Sequence, residues 1–380
     1  MPRSVDRRTF LRRALAAAGW GLAVPLFAAC APAAAPSPTA APAPKPAGPA
    51  PAASPAAAPA APAPAASPAA AAPATPASVT KVSYGIVSYN PFHIVIIVGT
   101  EKPELMRQHG VEIDLLLTGS APAAVQAIVG GSMNMTTATM ESAWAAQDKS
   151  PGLYQIADVS VGYPYSLIVN PEIKRATDLK GKPVGSTSVW GGADTTALRM
   201  LLYENGLNNG DFNVIPVGSI AERAAAMKAG TVMGVVQIEP QTSLLIDQGF
   251  VELDNADNYP ELKGLQSITV LGKKDWYEPN MATAVAFFQG WLDITKWVYD
   301  PANKDEVIAI MAKTMKVDTK YAANTYERHL VKSKTAPTDL RVDLEAMARM
   351  ADLQRKIGLE NVPTEFAKYV DNSVVEKAQA

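Results

Sequence analysis

The chain has 380 residues, 48% of them apolar, a formal net charge of −2 and a single cysteine, which excludes internal disulfides, a CxxC redox pair and a cysteine-rich metal site. Six of the 34 basic and one of the 36 acidic residues precede Thr80, so the remainder holds 28 against 35 and a net charge of −7. That balance argues against a nucleic-acid partner, which needs a basic face, and the lack of a later apolar run of about twenty residues argues against a membrane span.

At the N-terminus, Arg3, Arg7, Arg8, Arg12 and Arg13 precede an apolar run from Ala14 to Ala29 that ends in small residues. This is the layout of a secretory signal, too short to span a bilayer comfortably. Asp6-Arg7-Arg8-Thr9-Phe10-Leu11-Arg12 resembles the twin-arginine export motif, and Leu26-Phe27-Ala28-Ala29-Cys30 resembles the bacterial lipobox, whose cysteine carries diacylglycerol. Residues 1–29 therefore read as a signal peptide and Cys30 as a lipidation site. Residues 30–79 are almost wholly Ala and Pro. Such a stretch has no large side chains to bury and prefers extended conformations, so it reads as a semi-rigid linker reaching on the order of 150 Å at most.

From Thr80 onward, short apolar strands alternate with helical patterns, which predicts an α/β architecture with mainly parallel sheets. Strands are expected at 82–87, 111–117, 133–137, 153–159, 166–169, 183–186, 213–216, 232–237 and 267–271. Helices are expected at 123–129, 193–205, 220–229 and 242–248, and after about Asn280 the pattern is wholly helical over 282–299, 305–315, 318–330 and 340–357. One segment recurs: Gly119-Ser120, a helix, then Gly131-Ser132-Met133 returns as Gly218-Ser219, a helix, then Gly230-Thr231-Val232, at a constant offset of 99. The serines stand where N-caps belong and the later glycines where helices stop, so two lobes of related topology are expected unless a common βαβ pattern has recurred by chance.

Ala176-Thr177-Asp178-Leu179-Lys180-Gly181-Lys182-Pro183-Val184-Gly185 looks like a DLKGK-plus-strand signature, and Leu201-Leu202-Tyr203-Glu204-Asn205-Gly206-Leu207, Gly131, Gly230 and Glu239-Pro240 extend the match. With these the chain resembles the substrate-binding proteins of bacterial ABC importers, in the branch typified by alkanesulfonate, nitrate and thiamine-precursor binders. Asn134 and Met233 depart from it, standing where the family often has Asp. The resemblance implies a two-lobed periplasmic-binding-protein-like (type II) α/β fold with a hinge of two crossover strands. Lobe 1 would comprise 80–166 plus 268–380, and lobe 2 167–267. It further implies a lipid-anchored extracytoplasmic monomer that captures a small organic molecule between the lobes and hands it to a permease and its ATPase, without cofactor, metal or nucleic acid. An extracytoplasmic ligand-sensing or accessory binding protein is the alternative, and an enzyme related to pyrimidine-precursor synthases the more remote one.

In such a fold the cleft is lined by loops at the carboxyl ends of parallel strands, where helix N-termini offer free N–H groups. The loop after the first strand offers Ser88, Tyr89, Asn90, Phe92 and His93; that after the second offers Ser120; that after the third offers Thr137, Thr139 and Glu141. Tyr165 lies at the first crossover. The richest cluster is Ser188, Trp190, Gly191, Gly192, Asp194 and Thr195, and Gln237 and Glu239 end a later strand. Ser120 and Asp194 read equally well as helix caps, Tyr89, Phe92 and Tyr165 as covers for sheet ends, and Glu239-Pro240 as a strand terminator. These loops hold Glu141, Asp194 and Glu239 but no Lys or Arg. A neutral, zwitterionic or cationic ligand with a planar or ring portion is therefore expected, against the alternative of an anion held by helix N-termini. The three histidines fit no HExxH motif and no GxSxG or phosphate loop occurs, so an enzyme is not expected.

Overall fold

Hydrogen-bond registers organise the chain into two five-stranded sheets. The computed structural model describes residues 79–380 apart from Asn361. The signal peptide, Cys30 and nearly all of the Ala/Pro linker lie outside the described residues.

The first sheet joins β1 (Thr80–Ile86), β2 (Val111–Leu117), β3 (Met135–Thr139), β4 (Leu153–Val161) and β10 (Gln266–Lys273) in the order β2-β1-β3-β10-β4. The second joins β5 (Ser166–Val169), β6 (Pro183–Ser186), β7 (Asn213–Pro216), β8 (Gly234–Gln237) and β9 (Val251–Asn255) in the order β7-β6-β8-β5-β9. The two orders are the same pattern, with the strand that arrives from the other sheet in fourth place. Those arriving strands, β10 and β5, run antiparallel to both neighbours, while β1, β2 and β3 and likewise β6, β7 and β8 are parallel. Both sheets are thus mixed, which corrects the expectation of mainly parallel sheets. Strands alternating with helices predict parallel neighbours, but a strand that enters from another sheet arrives from the opposite end.

The helices are α1 (Ile94–Glu101), α2 (Glu104–Arg107), α3 (Ala121–Val129), α4 (Met140–Gln147), α5 (Ala193–Glu204), α6 (Ile220–Lys228) and α7 (Gln241–Asp247), then α8 (Lys274–Tyr277), α9 (Met281–Tyr299), α10 (Lys304–Met315), α11 (Thr319–Tyr326), α12 (Leu344–Lys356) and α13 (Ser373–Gln379). The repeat at offset 99 falls on matching elements. Ser120 caps α3 by accepting from Ala123 N at 3.3 Å, and Ser219 caps α6 by accepting from Glu222 N at 3.4 Å, with Glu222 returning the bond to Ser219 N at 2.6 Å. The stops are equivalent too: Gly131 and Gly230 have φ of 75° and 69°, a left-handed conformation that glycine adopts without a Cβ penalty. Asn134 keeps the β3 turn in register by accepting from Ser83 N at 2.8 Å.

Two segments, 162–165 and 256–265, carry the chain between the sheets. After β10 the helices pack mainly on the first sheet, where Tyr84 of β1 meets Phe287 and Trp291 of α9 at centroid distances of 5.7 and 5.6 Å. Their apolar residues recur at helical spacing and bury a continuous stripe (Phe287, Trp291, Ile294, Val298). The turn at 327–332 is a π-helix rather than the α-helical continuation expected from 318–330.

Candidate functional site

The carboxyl ends of β3 and β6 face each other across the gap between the sheets, and the elements that follow them build the site. β3 ends at Thr139, whose hydroxyl caps α4 by accepting from Ser142 N at 3.4 Å and so places Glu141 in the first turn. Glu141 Oε1 accepts from Thr196 Oγ1 of α5 at 2.9 Å and from Gln354 Nε2 of α12 at 2.7 Å, linking the two sides. Its Oε2 is buried without a hydrogen-bond partner. Burial pushes the Glu141 carboxyl above the ordinary range, against the hydrogen bonds that favour its charged form.

After β6 the loop turns back on itself. Ser188 Oγ lies 2.7 Å from the carbonyl oxygens of both Trp190 and Gly191, and Thr195 Oγ1 donates to Ser188 O at 3.2 Å. Gly191 and Gly192 have φ of 84° and 88°, which explains two consecutive glycines here. The loop presents Trp190, 51% exposed, with the Arg199 guanidinium 3.7 Å from its ring centroid.

Between these elements lies a cavity of about 790 Å³, lined by Glu141, Trp144, Ala145, Asp148 and Lys149 of α4 and its end, by Trp190 and Gly191, and by Gln354 and residues 358–360, 362 and 363 beyond α12. Of the residues expected from sequence, Glu141, Trp190 and Gly191 line it, and Ser188, Gly192 and Thr195 hold the Trp190 loop. Trp144 and Gln354 were not foreseen. Trp144 sits one turn beyond Glu141 on the same helix face, a spacing that could have pointed to it, whereas Gln354 comes from a distant helix with no local signal.

A second group of expected residues forms a buried aromatic cluster instead. Phe92 lies 5.9 Å from Tyr165 and 5.6 Å, edge-on, from His329 of the π turn, and Tyr163 lies 6.1 Å from Tyr165. Orphaned polar atoms surround it: His93 Nδ1, both His329 ring nitrogens, Tyr163 Oη and Gln237 Oε1 are buried without partners. Burial lowers both histidines from 6.5 to about 3 and raises both tyrosines, so all four are neutral at pH 7.

Several candidates have structural duties. Asn90 caps the 91–93 turn through Phe92 N at 3.1 Å, with Ser88 and Tyr89 exposed beside it. Thr137 is not in a loop but within β3, buried, donating to Gly85 O at 3.3 Å. Asp194 is not the N-cap of α5; Gly192 occupies that position and no side chain caps it. The Asp194 Oδ2 instead accepts from Ser186 Oγ, Thr187 N and Thr187 Oγ1 at 2.7–2.9 Å and from Arg223 Nη1 at 2.7 Å. Glu239 accepts from Ser243 N and Oγ at 3.2 and 3.0 Å and lies 3.7 Å from Arg328. Helices thus supply the cations that the loops lack, and two of the three carboxylates invoked for a cationic ligand already face an arginine, Arg223 buried and Arg328 partly so. Among the described residues no group of His, Cys, Asp and Glu is placed to hold a metal ion, and no helix is long and apolar enough to cross a membrane.

Comparison with solved structures sets this arrangement in a known fold. The sulfonate ABC transporter periplasmic protein SsuA from Methylobacillus flagellatus superposes with a TM-score of 0.61 at 18% identity, covering 79% of this chain and 94% of its own. The periplasmic nitrate-binding protein NrtA from Synechocystis gives 0.63 at 16%, covering 79% and 88%. The desulfurization enzyme DSZB gives 0.56 at 14%, covering 79% and 99%. At these identities the likeness is one of fold, the periplasmic-binding-protein-like α/β architecture with two mixed sheets. No curated protein sequence matches the chain. The profile of the NMT1-like family matches residues 76–312, more than half of the chain, and on that match, together with the shared sheet topology, the protein belongs to the NMT1-like family.

Proposed function

We propose that this protein is the solute-binding component of an ABC importer, exported, anchored through Cys30 and acting as a monomer that delivers its ligand to a permease and ATPase. In this reading lobe 1 is 80–166 with 268–380, lobe 2 is 167–267, and the segments between the sheets are the hinge. The observation that carries it is the 790 Å³ cavity where the Trp190 loop after β6 meets α4 and the segment beyond α12, with Glu141 on one side and Trp190 on the other. A cavity of that size with an aromatic wall and few convergent polar groups suits one small organic molecule.

The charge of the site supports a neutral or zwitterionic ligand bearing a ring. Asp194 and Glu239 face Arg223 and Arg328, and of the carboxylates that line the cavity Glu141 has a raised pKa that favours a neutral hydrogen-bonding partner while Asp148 and Glu360 share the wall with the cation Lys149. Ring stacking on Trp190 supplies apolar contact.

Calorimetry with the purified protein against a panel of ring-bearing neutral, zwitterionic, cationic and sulfonate compounds tests this. Stoichiometric capture is expected, with the compound recovered unchanged. Trp190→Ala should weaken that binding about tenfold or more with little change in the unfolding midpoint. Saturation only by small inorganic anions or sulfonates, or unchanged affinity in the variant, overturns the assignment. Turnover of the captured compound would instead favour an enzyme, as with DSZB, which shares this fold.

A further inference from the structure

Arg199 is a buried cation without a counter-charge. The residue is 4% exposed, and among the described residues no carboxylate lies within ion-pair distance of it. A guanidinium has five N–H donors. Two are used: Nη1 donates to Asn209 Oδ1 at 2.5 Å and Nη2 to Val189 O at 2.8 Å. Nε is buried with no partner. The faces of the group are occupied, with Trp190 at 3.7 Å and Phe212 at 5.8 Å from their ring centroids. The second N–H groups of Nη1 and Nη2 are the donors left to meet a ligand.

Arg199 lines a second cavity of about 180 Å³ together with Tyr203, Asn208, Asn209, Lys356 and Gly358. This adds a second cation, Lys356, held 4.9 Å over the ring of Tyr203. No acidic residue lines it. At about 30 Å³ per water the cavity has room for about six waters, enough for a tetrahedral oxyanion.

We propose that this second cavity is a binding site for a small oxyanion of the phosphate or sulfate class, held by the edge of Arg199 and by Lys356. The planar fork of an arginine matches two oxygens of such an anion, and a second cation completes the charge balance. The location gives the site a consequence. Arg199 belongs to α5, which contributes Thr196 to the Glu141 bond, and Lys356 ends α12, which contributes Gln354 to it. An anion spanning Arg199 and Lys356 therefore ties together the two helices that meet at Glu141 and favours the form in which they touch.

The test is titration of the full chain with inorganic phosphate and with sulfate at ionic strength held constant by chloride, following tryptophan fluorescence and the unfolding temperature. Saturable quenching or enhancement is expected with a rise in unfolding temperature. Arg199→Gln should weaken binding at least tenfold, and Lys356→Gln, at an exposed position that keeps the fold intact, about threefold. No saturation at tens of millimolar anion, or Lys356→Gln titrating as the wild type does, overturns the proposal. A parallel arm uses phenyl phosphate. If that ester alone saturates, and its binding falls in both Trp190→Ala and Arg199→Gln, the oxyanion belongs to the solute in the larger cavity and the separate site is wrong.

Discussion

His93 and His329 are both buried, His329 edge-on to Phe92 with neither ring nitrogen partnered and His93 with its Nδ1 unpartnered, and their chemistry follows from that. Burial lowers each from 6.5 to about 3, and for His329 the adjacent Arg328 charge acts in the same direction. Between those values the unfolded chain binds protons that the folded chain refuses. Stability is therefore complete above about pH 6.5 and declines as pH falls toward 3, with a slope of about 1.4 kcal/mol per pH unit for each histidine. Glu141, Asp158 and Glu239, raised mainly by burial, act in the opposite sense. His329→Phe keeps the ring against Phe92 and removes one slope. Urea denaturation should show the variant losing about 2 kcal/mol less than the wild type between pH 7 and pH 5, and the carboxyl contributions cancel because both proteins share them. Equal losses would mean that His329 is not held neutral.

At the scale of elements, the repeat explains why Ser120 and Ser219 occupy equivalent places without touching the cavity. Each opens the helix between the second and third of the parallel strands of its sheet, and each satisfies an N–H that the helix cannot pair internally. Ser120→Ala is expected to lower stability by about 1 kcal/mol in chemical denaturation while leaving ligand affinity unchanged; a loss of affinity would return Ser120 to the site. Such caps and glycine stops are local chemistry, which is why β2, β5, β6 and β7 fall on their expected residues and α3 and α6 within two residues of theirs. Other elements carry no local signal. β9, Val251-Glu-Leu-Asp-Asn, lies at a sheet edge and is only partly buried, and its alternation runs over just four residues with two apolar side chains, too short to mark it against the surrounding loops. α1 is the reverse: Ile94 to Gly99 are all buried, and a segment apolar on every side has no 3.6-residue period to read. The site divides in the same way. Trp190 and the glycines beside it are legible because a large aromatic in a loop has no core to join, and Glu141 because a carboxylate follows a strand. Arg223 and Gln354 are not, because their role is set by contacts 29 and 213 residues away in the chain.

For the whole molecule, two seams connect the sheets' lobes, and they differ in kind. On the side of the 256–265 connection, the π turn places Arg328 2.5 Å from Glu252 and within 3.7–3.8 Å of Glu239 and Asp257, while Lys320 and Tyr321 reach Asp247 at 2.6 and 2.8 Å. Removing Arg328, the partly buried hub, would leave the buried Glu239 without its counter-charge and cost about 3 kcal/mol, the lower end for a buried pair, whereas the exposed Lys320–Asp247 pair contributes little; Arg328 thus makes this side the fixed edge of the proposed closure. On the cavity side the direct hydrogen bonds among the described residues are Thr196 to Glu141 at 2.9 Å and Asn209 to the carbonyl of Ile357, with Lys356 lying over the ring of Tyr203 beside them. Hydrogen bonds of this type contribute about 0.5–1.5 kcal/mol each, so if the lobes close on a ligand as proposed, the open and closed forms would lie within a few kcal/mol of one another, a gap that ligand binding is able to shift. Thr196→Val is nearly isosteric and removes the hydroxyl that donates to Glu141. In the absence of ligand it should enlarge the radius of gyration measured by small-angle scattering, and it should weaken ligand binding about fivefold, because less of the protein is closed before the ligand arrives. If the radius is unchanged and the affinity is kept, closure is held elsewhere, and the interlobe carboxylate is a contact of the closed form that does not control it.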